Sequence, residues 1–242
     1  MGRPVICGVA TMFFDPLYFL IIAPGLLLAL WAQFRVRSTF ARAEELTSHK
    51  GWSGRDVAQA ILDASGIRDV AIEPVGGYLS DHYDPRNKVL RLSPKVYEGR
   101  SLAAFGVAAH EVGHAIQDAQ GYALMGIRNL VVPLAGFGSS FSWILLFVGI
   151  GWGLRTFAIL GCALFSMVVF FQLVNLPVEF NASSRAREAL LVNGITSPAE
   201  DKEIGRVLHA AAMTYVAATL TSVLTLLYYL YRSGLIGGRS NR

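Results

Sequence analysis

Between Leu130 and Leu176 the chain carries one charged side chain, Arg155, and nothing else in it restricts the fold as strongly. A helix needs roughly 20 apolar residues to cross a bilayer, so this run is too long for one span. It reads as two spans (129–176) joined by a tight hairpin at GIGWGLRT, residues 149–156. Two shorter runs match it: 17–34, LYFLIIAPGLLLALWAQF, closed by Arg35 and Arg37, and 209–232, closed by Arg232. The whole chain of 242 residues is 53% hydrophobic but only 16% charged. Soluble domains carry about 25% charged residues, and it is this deficit that leaves room for such runs. The expectation is an α-helical multi-pass membrane protein with four transmembrane helices.

The remaining sequence divides around these spans. An N-terminal tail covers 1–16, a mixed polar segment 35–128, a second polar segment 177–208 and a C-terminal tail 233–242. The tail at Arg3-PVICGVATMFF has the look of a short signal peptide. Asp15-Pro16 interrupts it and a better span follows at once, so a retained tail or a start at Met12 is the favoured reading. Within 35–128, residues 35–50 read as a polar helical extension. Residues 53–65 read as a short helix capped by Ser53, with Asp56 at its third position and Gly66 ending it. Residues 70–75 and 88–93 have strand character, and 101–119 reads as a helix. A helix and a small sheet together predict a compact α+β cap.

Several function classes drop out. The net charge of +4 does not come from Lys and Arg clusters interleaved with aromatics, so nucleic-acid binding is not expected. Cys7 and Cys162 lie far apart without a CxxC partner and read as ordinary thiols. Gly149, Gly151 and Gly153 have no preceding strand and no lysine after them; hairpin turning or close helix packing explains them, not phosphate binding.

The chemistry sits at VAAHEVGHAIQ, residues 107–117. Helical residues four apart share a face with Cβ atoms about 5–6 Å apart, so His110 and His114 can aim at one ion. Glu111, next to the first histidine, can reach a metal-bound water without ligating the metal, which is the arrangement of a zinc hydrolase. With five histidines in the chain, a chance HExxH has odds of roughly one in a few hundred at this composition. The flanks are small or apolar. Gly113 would cost about 1 kcal/mol against alanine in mid-helix, which suits a site where a neighbouring backbone approaches the metal face. The bland alternative is a buried helix whose histidines are satisfied by hydrogen bonds.

A catalytic zinc takes three protein ligands and keeps one open position. The third must come from a polar segment, and 177–208 is entered through NLPVEFNASSRA. Pro177 suits the first turn of a helix, which puts Glu179 just inside it at the membrane edge. An acid in such a place is a functional candidate; the alternative is a carboxylate serving the helix dipole. Glu179 is the predicted third ligand.

HEVGHAIQ, with LSDHYDPRNKVLRLS before it and PVEFNASSRA after it, resembles the YugP-type zinc metallopeptidases of bacterial membranes. The resemblance runs from FFDPLY at Phe13 through the fourth span. It implies zinc ligands at His110, His114 and Glu179, a catalytic carboxylate at Glu111, and a multi-pass peptidase with a gluzincin-like catalytic cap. Many gluzincins carry an acid four residues after the glutamate ligand; here that position is Ser183, with Asn181 nearby.

Secondary candidates are His82 and Tyr83, which would stabilise the oxyanion of a tetrahedral intermediate, although Asp81 and Asp84 equally suit a turn. Arg185 and His209 are candidates for the same role. Residues 88–93 would line an extended substrate by strand addition. Eight basic residues flank the catalytic side (Arg35, Arg37, Arg42, Arg128, Arg185, Arg187, Lys202, Arg206). Five flank the other (Arg3, Arg155, Arg232, Arg239, Arg242), which favours a cytoplasmic catalytic face in the bacterial inner membrane. The expected activity is Zn2+-dependent endopeptidase cleavage of membrane or misfolded polypeptides. The rivals are an intramembrane site-two-type protease with an aspartate third ligand, and a non-enzymatic scaffold or transport component with a structural zinc.

Overall fold

The computed structural model describes residues 15–77 and 80–237, which are mostly helical. The predicted tail (with Cys7 and Met12) falls outside the described residues except for Asp15 and Pro16, as do Arg239 and Arg242. In chain order the elements are α1 (Pro16–Glu44), α2 (Gly54–Ala64), β1 (Ala71–Pro74), β2 (His82–Asp84) and β3 (Val89–Leu92). They continue with α3 (Pro94–Tyr97), α4 (Leu102–Ala119), α5 (Ala123–Gly151), α6 (Arg155–Val192) and α7 (Pro198–Arg232). Helices α1, α5, α6 and α7 are each long and apolar enough to cross a membrane.

These elements form two compact units. The first comprises residues 15–30, 127–176 and 215–237. Its core is Leu146, Cys162, Phe165, Val169, Tyr228 and Tyr229, with Tyr18 and Ile21 packed against it. Small residues set its helix spacing, as expected where lipid offers no hydrophobic drive for association. A Cβ on Gly25 would lie 3.0 Å from Thr221 Cα, and one on Gly149 would lie 2.2 Å from Ala158 N. The Asp15 carboxylate accepts a hydrogen bond from Tyr228 Oη (2.8 Å) and pairs with Arg232 (3.5 Å), joining the start of α1 to the end of α7.

The second unit comprises residues 31–77, 80–126 and 177–214. Its sheet has the order β1-β3-β2, with β1 parallel and β2 antiparallel to β3. Buried Val57, Ile61 and Leu62 of α2, Leu90 and Leu92 of β3 and Phe105, Ala108 and Val112 of α4 share one core with Val178 and Leu190 of α6 and Ile204 of α7. Helix α2 begins at the predicted capping box, where Ser53 and Asp56 satisfy each other's backbone N–H groups. Gly66 follows its end at φ +71°. Helix α4 begins at Ser101, whose Oγ accepts from Ala104 N (3.2 Å).

Three expectations need correcting. Of residues 88–93, Val89–Leu92 form the middle strand, paired on both sides, so they have no edge to offer a substrate; the edge strands are β1 and β2. Pro177 does not open a helix but lies inside α6. The freed carbonyl one turn earlier is tolerated there, as it is at Pro24 in α1 and Pro133 in α5. The last apolar helix begins at Pro198, ahead of residue 209, because Ser197 and Glu200 make a second capping box at its start.

Candidate metal centre

His110 and His114 stand one turn apart on α4, and Glu179 reaches them from α6. Their ligand atoms all lie within 4.8 Å of one another. His110 Nε2 is 3.3 Å from Glu179 Oε2, and His114 Nε2 is 3.8 Å from it. Two donors bound tetrahedrally to zinc at about 2.0–2.1 Å sit about 3.3–3.4 Å apart. The first separation matches that edge and the second comes close. The donor set, two imidazoles and one carboxylate, also suits zinc. Glu179 is 2% exposed and His114 6%, a depth at which a carboxylate needs a positive partner.

The close approach that this geometry requires runs through Gly113. A Cβ there would stand 2.4 Å from Ala182 O and 3.0 Å from Ala182 C, so only glycine lets α6 lie this close to the metal-facing side of α4. The sequence-level expectation for Gly113 holds.

Hydrogen bonds hold both rings. Ser183 Oγ is 3.2 Å from His110 Nδ1, and Gln117 Oε1 is 3.0 Å from His114 Nδ1. Gln117 Nε2 in turn donates to Val178 O (2.8 Å) and to Asn181 Oδ1 (2.9 Å). Sequence reasoning noted Ser183 and Asn181 only as departures from an acidic pattern, and it missed Gln117. The signal was available: Gln117 lies three residues after His114, on the same face of the helix.

Glu111 accepts a hydrogen bond at Oε2 from the main-chain N–H of Tyr83 (3.1 Å). That N–H therefore points away from β3, which makes Tyr83 and Leu90 a non-hydrogen-bonded pair in the antiparallel register. Burial pushes the Glu111 carboxyl above its ordinary range, and the negative charges of Glu179 and Asp81 add to this. His110 and the Tyr83 N–H pull the other way without cancelling it.

The other candidates are placed differently. The Tyr83 phenol does not face the donor atoms; it donates to Asp118 Oδ2 (2.8 Å), which also pairs with Lys88 (2.5 Å). Burial and that carboxylate raise its pKa well above the ordinary phenol. His82 is exposed, with Nδ1 2.8 Å from Ser80 O. Asp84 makes the turn foreseen for this stretch, accepting from the N–H groups of Arg86 (3.0 Å) and Asn87 (3.2 Å). Arg185 donates from Nε to Asn181 Oδ1 (2.7 Å) and also to Gln120, and it lies over the Tyr122 ring. It reaches the metal face only through Asn181. His209 is exposed on α7.

A family model described as "Putative neutral zinc metallopeptidase" matches residues 18–234, which include all three donors and Glu111. The chain belongs to this family. It is also 46% identical over 211 residues to the "Putative membrane protease YugP" of Bacillus subtilis (strain 168), covering 87% of this chain and 93% of that protein. No solved structure matches. The family membership, the candidate metal site and the four apolar helices agree with one another: the chain is a member of a zinc metallopeptidase family and a homologue of a membrane protease.

Proposed function

We propose that the protein is a membrane-embedded, zinc-dependent endopeptidase in which His110, His114 and Glu179 hold the metal and Glu111 is the general base. The observation that carries this reading is the convergence of three donors from α4 and α6 within 4.8 Å of one another, with a second carboxylate, Glu111, next to His110 on α4. Zinc bound there supplies a Lewis acid that polarises a peptide carbonyl and lowers the pKa of water toward neutrality. Glu111 takes the proton from the attacking water and returns it to the departing amine as the C–N bond breaks. The Tyr83 N–H holds one oxygen of Glu111 in place, which leaves the other to handle the proton.

Substrates are proposed to be membrane or misfolded polypeptides met at the surface of the bacterial inner membrane, with the catalytic face cytoplasmic. The four apolar helices and the charge asymmetry at their ends support this location. His82, on the edge strand, remains a candidate contact to the substrate carbonyl; the phenol of Tyr83 and the guanidinium of Arg185 are better read as holding neighbouring groups. The site-two-type alternative gains no support: Asp118, the acid nearest the motif on α4, is engaged by Tyr83 and Lys88, and the third donor is a glutamate.

Metal analysis of the full-length protein in nanodiscs, beside peptide-cleavage assays, tests the reading. One zinc per chain in the wild type is expected, lost in His110→Ala and Glu179→Ala. Glu111→Gln should keep the zinc and lose cleavage. Zinc retained without Glu179 sinks the ligand assignment, and cleavage retained without Glu111 sinks the mechanism.

A further inference from the structure

We infer that Gln117, Asn181 and Arg185 form a positioning relay that fixes the tautomer of His114, so that α6 supplies one metal donor and also dictates the orientation of another. The inference rests on the metal-site reading above and adds to it three residues with stated roles.

Arg185, Asn181, Gln117 and His114 form one chain of hydrogen bonds whose donors and acceptors can be counted. Amide oxygens and nitrogens look alike, and so do the two nitrogens of a neutral imidazole, so such a chain is usually ambiguous. Here both ambiguities are resolved by groups that have only one choice. Arginine can only donate, so the Asn181 atom facing Arg185 Nε at 2.7 Å is its oxygen. The Gln117 atom 2.9 Å from that oxygen must then be a donor, its Nε2. Val178 gives the same answer independently, because a main-chain carbonyl only accepts and lies 2.8 Å from the same Gln117 atom. With Nε2 committed, Oε1 faces His114, and the ring atom 3.0 Å away must carry the hydrogen. His114 Nδ1 is therefore N–H. A neutral ring then presents the Nε2 lone pair toward Glu179, as a metal ligand must.

His110 is held differently. Its Nδ1 contacts Ser183 Oγ at 3.2 Å, and a hydroxyl can donate or accept, so that contact positions the ring without choosing its tautomer. The contact at His114 is the one whose donor is decided, by fully buried Gln117 and by Arg185, six residues beyond Glu179 on α6.

The test measures zinc affinity of the full-length protein in detergent by competition with a chromophoric chelator, with the visible spectrum of the Co2+-substituted protein as a second readout. Gln117→Leu keeps the volume and removes the acceptor; it should weaken zinc binding about 10–100-fold and alter the Co2+ spectrum. Ser183→Ala should weaken it less. Arg185→Gln should weaken it several-fold, yet add nothing in a Gln117→Leu background, because both act through one contact. The metal-free melting temperature reports any purely structural damage, and Asn181→Ala serves as the second variant should Gln117→Leu not fold. Unchanged affinity in Gln117→Leu, or additive losses in the double variant, overturns the relay while leaving zinc on His110, His114 and Glu179 intact. Wild-type protein that binds no zinc overturns the parent reading and the relay together.

Discussion

The two compact units contain the same kinds of apolar residues and spend them in opposite ways. In the unit built from 15–30, 127–176 and 215–237, large apolar side chains face outward: Leu20 is 72% exposed and Leu130 74%. In the unit that holds the metal centre, Phe105, Ile61, Leu62, Leu90 and Leu92 are fully buried. The first pattern suits a surface solvated by lipid, where small residues such as Gly25 and Gly149 govern helix packing. The second is a closed apolar core, where close packing of side chains carries stability. Among the described residues the first unit buries the neutral polar side chains Ser142, Asn175, Thr219 and Thr225, whereas the second also buries the ionisable His114, Glu179 and Asp201 and seats Gln117 on Val178 and Asn181. The candidate site therefore lies in the unit that buries ionisable side chains.

The sharpest way to break this comparison is Glu111→Gln. Removing the proposed general base should lower kcat/KM by about 100- to 10,000-fold, or roughly 3–5 kcal/mol of barrier, with zinc content unchanged. An equal loss from a conservative change among the outward-facing leucines of the first unit would refute the division of labour. The next effect is on stability. Phe105→Ala should cost about 3–5 kcal/mol by opening a cavity in a closed core. Leu130→Ala should leave the melting temperature in detergent nearly unchanged, since that side chain is exposed.

A smaller contrast comes from two glycines. Gly113→Ala should cost on the order of 2 kcal/mol and weaken zinc binding, because its Cβ meets the Ala182 carbonyl. Gly136→Ala in α5 meets nothing within 4 Å and should be neutral or slightly stabilising. The smallest expected effect is pH-dependent. Hydrogen bonds from the Ser53 N–H and hydroxyl hold the Asp56 carboxyl below its ordinary value of 3.8. A depressed carboxyl stabilises the fold above its unfolded-state pKa, and that contribution fades as pH falls through the folded value. Asp56→Asn should therefore lower the melting temperature at neutral pH by the equivalent of about 1 kcal/mol. The difference from wild type should shrink as pH drops below 4.

How far the sequence exposed all this depended on the range of each interaction. Ser53, Asp56 and Gly66 were legible because capping is settled within three or four residues. The metal face of α4 was legible because helical periodicity alone aligns His110 with His114. Glu179 was singled out by its odd placement, although the reason given for it, a helix beginning at Pro177, was not the one the fold uses. What stayed hidden was long-range or very short. β2 spans three residues, too few for an alternating pattern, yet it pairs with β3 and leaves no edge on the strand expected to line a substrate. Gln117 reads as one more polar residue until Val178 and Asn181, more than sixty residues away, arrive beside it.

Gly113 gives the metal centre a particular kind of firmness. The distance between α4 and α6 is gauged by a carbonyl oxygen pressed against a bare Cα, not by a side chain that can swing to another rotamer. The spacing of the two helices that carry the donors is thus set at this point by main chain alone, with no side-chain torsion to relax.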